Sequence, residues 1–95
     1  LSNLQSLPVS EVKIDKSFVQ DMTDNEAAAA IVRSIVSLGH NLGLSVVAEG
    51  VETNEAMTSL ALLHCDRAQG YLFARPLPLD ELRTFLVDAR HDVTH

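Results

Sequence analysis

The sequence contains a single cysteine, Cys65, and no tryptophan. One cysteine excludes an intramolecular disulfide and a zinc site of several thiolates and fits a reducing compartment, so we expect a cytoplasmic protein. Basic residues are also few, because seven Lys and Arg stand against 13 Asp and Glu, for a formal net charge of −6. The chain therefore lacks the basic field that holds a phosphate backbone, and polymeric nucleic acid is not an expected partner.

Long apolar runs are missing as well. None approaches the roughly 20 residues that cross a bilayer, and residues 1–7 lack the regions of a signal peptide, so we expect no direct membrane insertion. The 95 residues are enough for one small domain, and 46% hydrophobic with 21% charged residues is ordinary globular composition. The first residue is not Met, which suggests a piece of a longer protein.

Three strand-like segments alternate with three helical ones. Strand character is predicted for the first half of VKIDKSFV (12–19), for the apolar run 46–48, and for QGYLFA (69–74), which Arg75 and Pro76 close. Helices are predicted from a cap at 23–25 to Gly43, after the cap Thr53, and after Pro78. The order β-α-β-α-β-α predicts parallel strands with right-handed crossovers, in an α/β sheet or part of a barrel.

Each predicted strand brings polar groups to its end: Lys13 and Asp15, then Glu49, then Gln69. In parallel α/β folds the carboxyl ends of the strands hold the ligand site. A carboxylate, an ammonium and an amide at one rim could bind a divalent metal and a phosphate together and orient an attacking water. An ionised Glu49 after three apolar residues is costly unless it is paired or bound to metal.

Each residue also has a structural alternative. Asp15 could start a turn, Glu52 could help cap the helix near Thr53, and Gln69 could satisfy backbone groups in a loop. The pattern of residues alone does not decide between these interpretations.

Three motifs in order, LPVSEVKIDKSFV, VVAEGVET and CDRAQGYLFARPLP, closely resemble the C-terminal part of the EAL domain of bacterial cyclic di-GMP phosphodiesterases. The resemblance covers about residues 1–86 and implies the C-terminal portion of a modified TIM (β/α)8 barrel. It further implies two Mg²⁺ or Mn²⁺ ions and hydrolysis of cyclic di-GMP to pGpG.

The resemblance also implies roles for individual residues. Lys13 matches the family lysine near the metal-bound water and phosphate. Glu49 matches the catalytic glutamate of the metal centre, which binds the metal directly or through water. Gln69 matches the glutamine that contacts this water network. Glu52 matches a supporting glutamate. Arg75 and Pro76 match an Arg-Pro pair for which we expect packing and substrate-side support.

The chain departs from the family pattern mainly in what is absent. A full barrel needs roughly 250 residues. The Glu-Ala-Leu signature and the DDFGTG segment of the family do not occur in this sequence. Residues 1–95 are therefore predicted to be a partial EAL domain that lacks most of the metal ligands. His64 stands where a glycine usually precedes the cysteine, so its backbone should differ or carry strain.

Two functions follow from this resemblance. The first is the C-terminal lobe of a phosphodiesterase, inactive as an isolated fragment and completed by the missing N-terminal part of the barrel or by self-association. The second is a degenerate, non-catalytic remnant that senses nucleotide or contacts protein.

Overall fold

The computed structural model describes the backbone of residues 11–70 and 73–93, and the side chains of 11–70 and 75–88. Four strands and four helices follow one another along this part of the chain. In order they are β1 (Glu11–Ile14), α1 (Lys16–Asp21), α2 (Glu26–Asn41), β2 (Ser45–Ala48), α3 (Asn54–Leu62), β3 (Arg67–Gly70), β4 (Phe73–Pro78) and α4 (Asp80–Val93).

The strands form one sheet in the order β1-β2-β3-β4, in which β1, β2 and β3 are parallel and β4 runs antiparallel to β3. Ile14 pairs with Ala48, and Ala48 pairs with Ala68, so these three residues form one row across the parallel strands. The predicted α/β class with parallel strands is confirmed for β1 to β3. β1 has a free edge among the described strands.

The core lies between one face of the sheet and the helices. Ile14, Val46, Ala48 and Ala68 are fully buried, and the buried stripe of α2 consists of Ala28, Val32, Val36 and Gly39. A Cβ at Gly39 would lie 2.7 Å from Cγ2 of Val46, so α2 approaches β2 too closely for a larger residue. The 3.6-residue repeat of apolar side chains therefore places α2 against the sheet.

Side-chain caps begin α2 and α3 where the sequence predicts them. The Asn25 side chain accepts hydrogen bonds from the N–H groups of Ala27 (2.9 Å) and Ala28 (3.2 Å). Thr53 accepts from the N–H of Ala56 at 3.1 Å. These oxygens satisfy N–H groups that have no partner inside the helix. At the other end of α2, Gly43 takes a φ of 76° after the last turn, as predicted for a helix stop.

The third predicted strand is wrong as a single element. β3 ends at Gly70, which pairs with Phe73 of the antiparallel β4, and Arg75, Pro76 and Pro78 lie within β4 rather than after the strand. Continuous apolar character fits one buried strand or two adjacent ones equally well, so the pattern does not show a change of direction. Tyr71 and Leu72 of this prediction, and residues 7–10 of the first motif, lie outside the described residues.

Helix α1 was also not predicted, because its six residues are too few to show a repeat. Among the described residues, no helix combines the length and the apolar character that a bilayer crossing requires.

Candidate functional site

Three polar residues follow the paired row at the carboxyl ends of the parallel strands. Asp15, Glu49 and Gln69 come directly after Ile14, Ala48 and Ala68, and the Glu49 N–H donates to the Ile14 carbonyl at 3.1 Å. Val51 continues this connection, because its N–H donates to the Gln69 carbonyl at 3.0 Å. The backbone therefore brings these strand ends to one rim, as the sequence predicts.

Alternation along the strands decides which face of the sheet the side chains share. Ile14, Ala48 and Ala68 are buried beneath the helices, and successive strand residues point to opposite faces. Lys13, Glu49 and Gln69 therefore lie on the face away from the helices. In a closed barrel of this kind that face points to the interior.

The Lys13 ammonium and the Glu49 carboxylate form an ion pair, with Nζ 3.8 Å from Oε2. Their side chains are 55% and 40% exposed, and a pair this open contributes well under about 1 kcal/mol. The ion pair therefore contributes little to the stability of the fold. The structure places an accessible carboxylate beside an accessible ammonium, which suits binding of a metal ion next to a phosphate.

Gln69 is half-buried on β3 and follows Ala68 as Glu49 follows its paired residue Ala48. Its backbone carbonyl is used by Val51, whereas its carboxamide has no hydrogen-bond partner within the part of the chain that the structure describes. The alternative in which Gln69 satisfies loop backbone groups thus finds no support in the described contacts. An amide in this place can still accept and donate hydrogen bonds to a ligand.

Asp15 has a structural role at the same rim. Its carboxylate accepts hydrogen bonds from the Ser17 hydroxyl (2.6 Å) and the Ser17 N–H (3.0 Å) and so caps α1. The hydroxyl bond, followed by the backbone bond, lowers the pKa of Asp15 below its ordinary value. The turn-forming interpretation of Asp15 is confirmed.

Glu52 lies beyond the rim, exposed on the wall of a cavity of about 260 Å³ between α1 and the start of α3. Gln20, Gly50 and Glu55 line the same cavity. Thr53 supplies the side-chain oxygen that caps α3, and the alternative that Glu52 helps cap this helix stays a prediction.

Arg75 and Pro76 are exposed on β4 opposite Gln69. Ala68 pairs with Leu77 and Gly70 pairs with Phe73, so the single residue Gln69 faces three residues of β4 in an irregular stretch. Such bulges redirect strands and side chains and are frequent next to functional sites. The pair lies near the rim, and its role stays a prediction.

Sequence reasoning missed a second polar contact on this face. Arg67 donates to Oε1 of Glu11 at 3.1 Å and to the Ser45 hydroxyl at 3.4 Å, linking the first residues of three strands. Glu11 and Arg67 stand two positions before Lys13 and Gln69, and this period-two spacing was the signal that could have found them. The contact ties together the strands that present the rim.

The described residues do not form a metal site by themselves. Among them, no group of three or more His, Cys, Asp and Glu side chains is placed to hold an ion. Glu49 offers one accessible carboxylate of the kind that Mg²⁺ and Mn²⁺ accept, while the capping carboxylate of Asp15 is already in use. A divalent ion here would need further ligands from elsewhere.

Comparison with known proteins identifies the family. The EAL domain model matches residues 1–76. The chain is 51% identical over 82 residues to the oxygen sensor protein DosP of Escherichia coli, covering 86% of this chain and 10% of that protein. It is 46% identical over 78 residues to the cyclic di-GMP phosphodiesterase RocR of Pseudomonas aeruginosa, covering 82% of this chain and 20% of RocR. The chain thus spans about a tenth to a fifth of the length of these relatives.

Solved structures agree with this family. The EAL domain of Mycobacterium smegmatis DcpA shares 44% identity at a TM-score of 0.66, over 92% of this chain and 39% of that one. The PaMucR phosphodiesterase complex with c-di-GMP shares 46% identity at a TM-score of 0.68, over 83% of this chain and 32% of that one. Klebsiella pneumoniae BlrP1, in a manganese and cyclic di-GMP complex, shares 38% identity at a TM-score of 0.66, over 83% of this chain and 20% of that one. The chain therefore belongs to the EAL domain family.

Proposed function

We propose that this chain is the C-terminal portion of a cyclic di-GMP phosphodiesterase and that Glu49, Lys13 and Gln69 form its part of the hydrolytic site. The supporting observation is the ion pair of Lys13 Nζ and Glu49 Oε2, 3.8 Å apart, at the strand ends where the register also places Gln69. Related phosphodiesterases, and structures solved with the cyclic dinucleotide, make cyclic di-GMP the substrate we propose.

Each residue has a defined task in this proposal. Glu49 holds a divalent ion, directly or through water, Lys13 places a positive charge beside the scissile phosphate, and Gln69 orients the attacking water through its carboxamide. Glu52, Arg75 and Pro76 support the substrate side of the site. The net charge of −6 opposes an anionic substrate, so a local cation is needed at the rim.

Metal ions are the second element of the proposal. Mg²⁺ or Mn²⁺, two in the complete domain, would supply Lewis acidity toward the phosphate oxygens. Manganese and calcium complexes of the related BlrP1 support divalent metal use in the family. Since Glu49 is the available carboxylate at the described rim, the other ligands come from the remainder of the domain, and the isolated fragment is inactive.

The partner that completes the site is the missing part of the barrel. On α2, His40 follows the buried Gly39 and reaches Asp66 near β3, with 2.7 Å between Nε2 and Oδ2. Ile31 and Leu38 each come one residue before a buried position of α2, whereas His40 comes one residue after one. Because each residue turns the helix by about 100°, Ile31 and Leu38 lie on the flank of α2 opposite His40, beyond the free edge of β1.

This α2 stripe, defined as Ile31, Ile35, Leu38 and Leu42, includes side chains that are 41% (Ile31), 60% (Leu38) and 60% (Leu42) exposed. It borders an apolar groove of about 280 Å³. An open parallel edge next to an apolar helix face is what a preceding strand and helix of the same barrel would cover. Self-association is the competing way to cover it.

The test is hydrolysis by the full-length protein that carries this segment. Cyclic di-GMP is incubated with Mg²⁺ or Mn²⁺, and pGpG is measured by chromatography. Lys13→Met and Gln69→Ala should each lower kcat by about 10²-fold or more. Arg33→Met, which removes an exposed cation of α2, should leave kcat within about twofold. Activity unchanged by Lys13→Met and Gln69→Ala would show that the site lies elsewhere.

A further inference from the structure

The loop that follows Glu49 is confined on both sides. On one side, Gly50 has a φ of 71° and lies against α1: an added Cβ would overlap Cβ of Lys16 and come within 3.3 Å of its Cα. A positive φ strongly favours glycine. Glycine at position 50 therefore lets the loop after β2 lie close against α1.

On the other side the loop lies directly on β3. A Cβ at Gly70 would overlap the carbonyl oxygen of Val51 and come within 2.8 Å of its carbonyl carbon and 2.9 Å of its nitrogen. All three neighbours are backbone atoms, which cannot rotate away as a flexible side chain can. Glycine at this position is thus required by close packing of two chain segments, independently of any positive φ.

Val51 fixes this contact in place. Its N–H donates to the Gln69 carbonyl at 3.0 Å, and its side chain is fully buried in the core. Glu49 stands two residues before Val51, and Gln69 immediately precedes Gly70. The two side chains assigned to metal binding and water orientation are therefore joined through one short backbone contact.

We infer that Gly70 is a positioning residue, which sets the separation of the Glu49 carboxylate and the Gln69 carboxamide by letting the Val51 backbone lie on β3. This inference rests on the proposed function for the roles of Glu49 and Gln69. An added methyl group must push Val51 or Gly70 aside, and misplacement by about 1 Å can cost about 10²-fold in rate.

The main experiment is kinetic and uses the full-length protein. Gly70→Ala should lower kcat for cyclic di-GMP by about 10²-fold. Gly43→Ala is the control, because it is the same substitution at a glycine whose added Cβ would meet no atom within 4 Å, although Gly43, unlike Gly70, has a positive φ. It should lower stability through backbone strain and keep kcat within about threefold. Equal kcat for the two variants would overturn the inference.

A double-mutant cycle separates positioning from a general loss of stability. If Gly70 acts by placing Gln69, then Gly70→Ala should cost far less than 10²-fold when Gln69→Ala is already present. Multiplication of the two losses would contradict the inference. Loss of activity on Gln69→Ala together with normal activity of Gly70→Ala would reject the positioning role and leave the proposed function standing.

Two further measurements cover the cases of a misfolded variant or an inactive parent. Val51→Ala and Val32→Ala remove the same groups from two fully buried valines, and only Val51→Ala should lower kcat, by about tenfold. Amide hydrogen exchange can be measured on an inactive protein. The Val51 N–H should exchange at least about tenfold faster in Gly70→Ala than in Gly43→Ala. If Gly70→Ala does not fold, the amide at position 51 should exchange at least about tenfold faster in Val51→Ala than in Val32→Ala. Equal protection within the pair measured would refute the backbone contact on which the positioning role depends.

Discussion

At the scale of single residues, the polar rim was the feature that chemistry could predict. Glu49 follows three apolar residues, so its charge was expected to need a partner. The structure supplies Lys13 at 3.8 Å, but Glu49 is 40% exposed, so the expected cost of burial does not arise among the described residues. The glycine contacts were not predictable in the same way, because Gly70 has no unusual φ in the described backbone and its role depends on a segment 19 residues earlier. Sequence patterns report periodicity and do not report which backbones touch.

Cys65 makes a prediction about reactivity. Burial raises the pKa of its thiol to about 11, and the thiol donates hydrogen bonds to the carbonyls of Val46 and Arg67, each at 3.4 Å. Because the thiolate is the reactive form, we expect folded protein at pH 8 to react with a disulfide reagent at least about 10²-fold more slowly than denatured protein. Stopped-flow absorbance measures both rates, and similar rates would contradict the buried thiol.

His64 makes a prediction about strain. Its φ is 70°, the left-handed region in which a side chain is costly, so the strain expected at this glycine-like position is confirmed. Replacement His64→Gly should raise the free energy of unfolding by about 0.5–1 kcal/mol, since the relief of strain is partly offset by the greater freedom of glycine in the unfolded chain. Urea titration measures it, and a loss of stability would mean that the imidazole makes a compensating contact.

At the scale of elements, Asp66 ties α2 to the sheet. Its carboxylate is 2.7 Å from the His40 ring and accepts the Val46 N–H at 2.7 Å. Burial raises the pKa of Asp66, but the hydrogen bonds from His40 and Val46 outweigh it, so the pKa lies below its ordinary value. The stabilisation is then complete above the unfolded pKa of about 4 and is lost as the pH falls through the folded value.

The corresponding measurement compares Asp66→Asn with the parent across pH. The difference in free energy of unfolding should be constant above about pH 5, where the carboxylate is ionised in both the folded and the unfolded protein, and should shrink steadily below about pH 4. A difference that stays constant to about pH 2.5 would show that Asp66 does not act through its charge.

The elements themselves were predictable where local signals agree. For α2, the cap at Asn25, the apolar repeat and the Gly43 stop all point to one helix, and the structure confirms it. The third strand failed because the antiparallel pairing of β4 with β3 is a tertiary choice. The bulge opposite Gln69 has the same origin, since register depends on both strands together.

At the scale of the whole molecule, the described residues form an open sheet with helices on one face and with Lys13, Glu49 and Gln69 on the other. The α2 stripe tests whether the rest of the barrel covers the free edge. In the full-length protein, Leu38→Glu should lower the free energy of unfolding by about 2 kcal/mol or more, because a charge would be buried without a partner.

Ser37→Glu is the control for this change, because Ser37 is exposed on the adjacent flank of the same helix. It should change the free energy of unfolding by no more than about 0.5 kcal/mol. Equal effects of the two substitutions in chemical denaturation would mean that the stripe stays in water in the complete domain.

The central claim is that the carboxylate of Glu49 takes part in hydrolysis, and the most direct measurement is kcat of the full-length Glu49→Gln variant with cyclic di-GMP and saturating Mg²⁺ or Mn²⁺. Glu26→Gln makes the same chemical change at an exposed position in the first turn of α2. We predict a loss of about 10³-fold for Glu49→Gln and less than twofold for Glu26→Gln. Equal activity of these two variants would contradict the account.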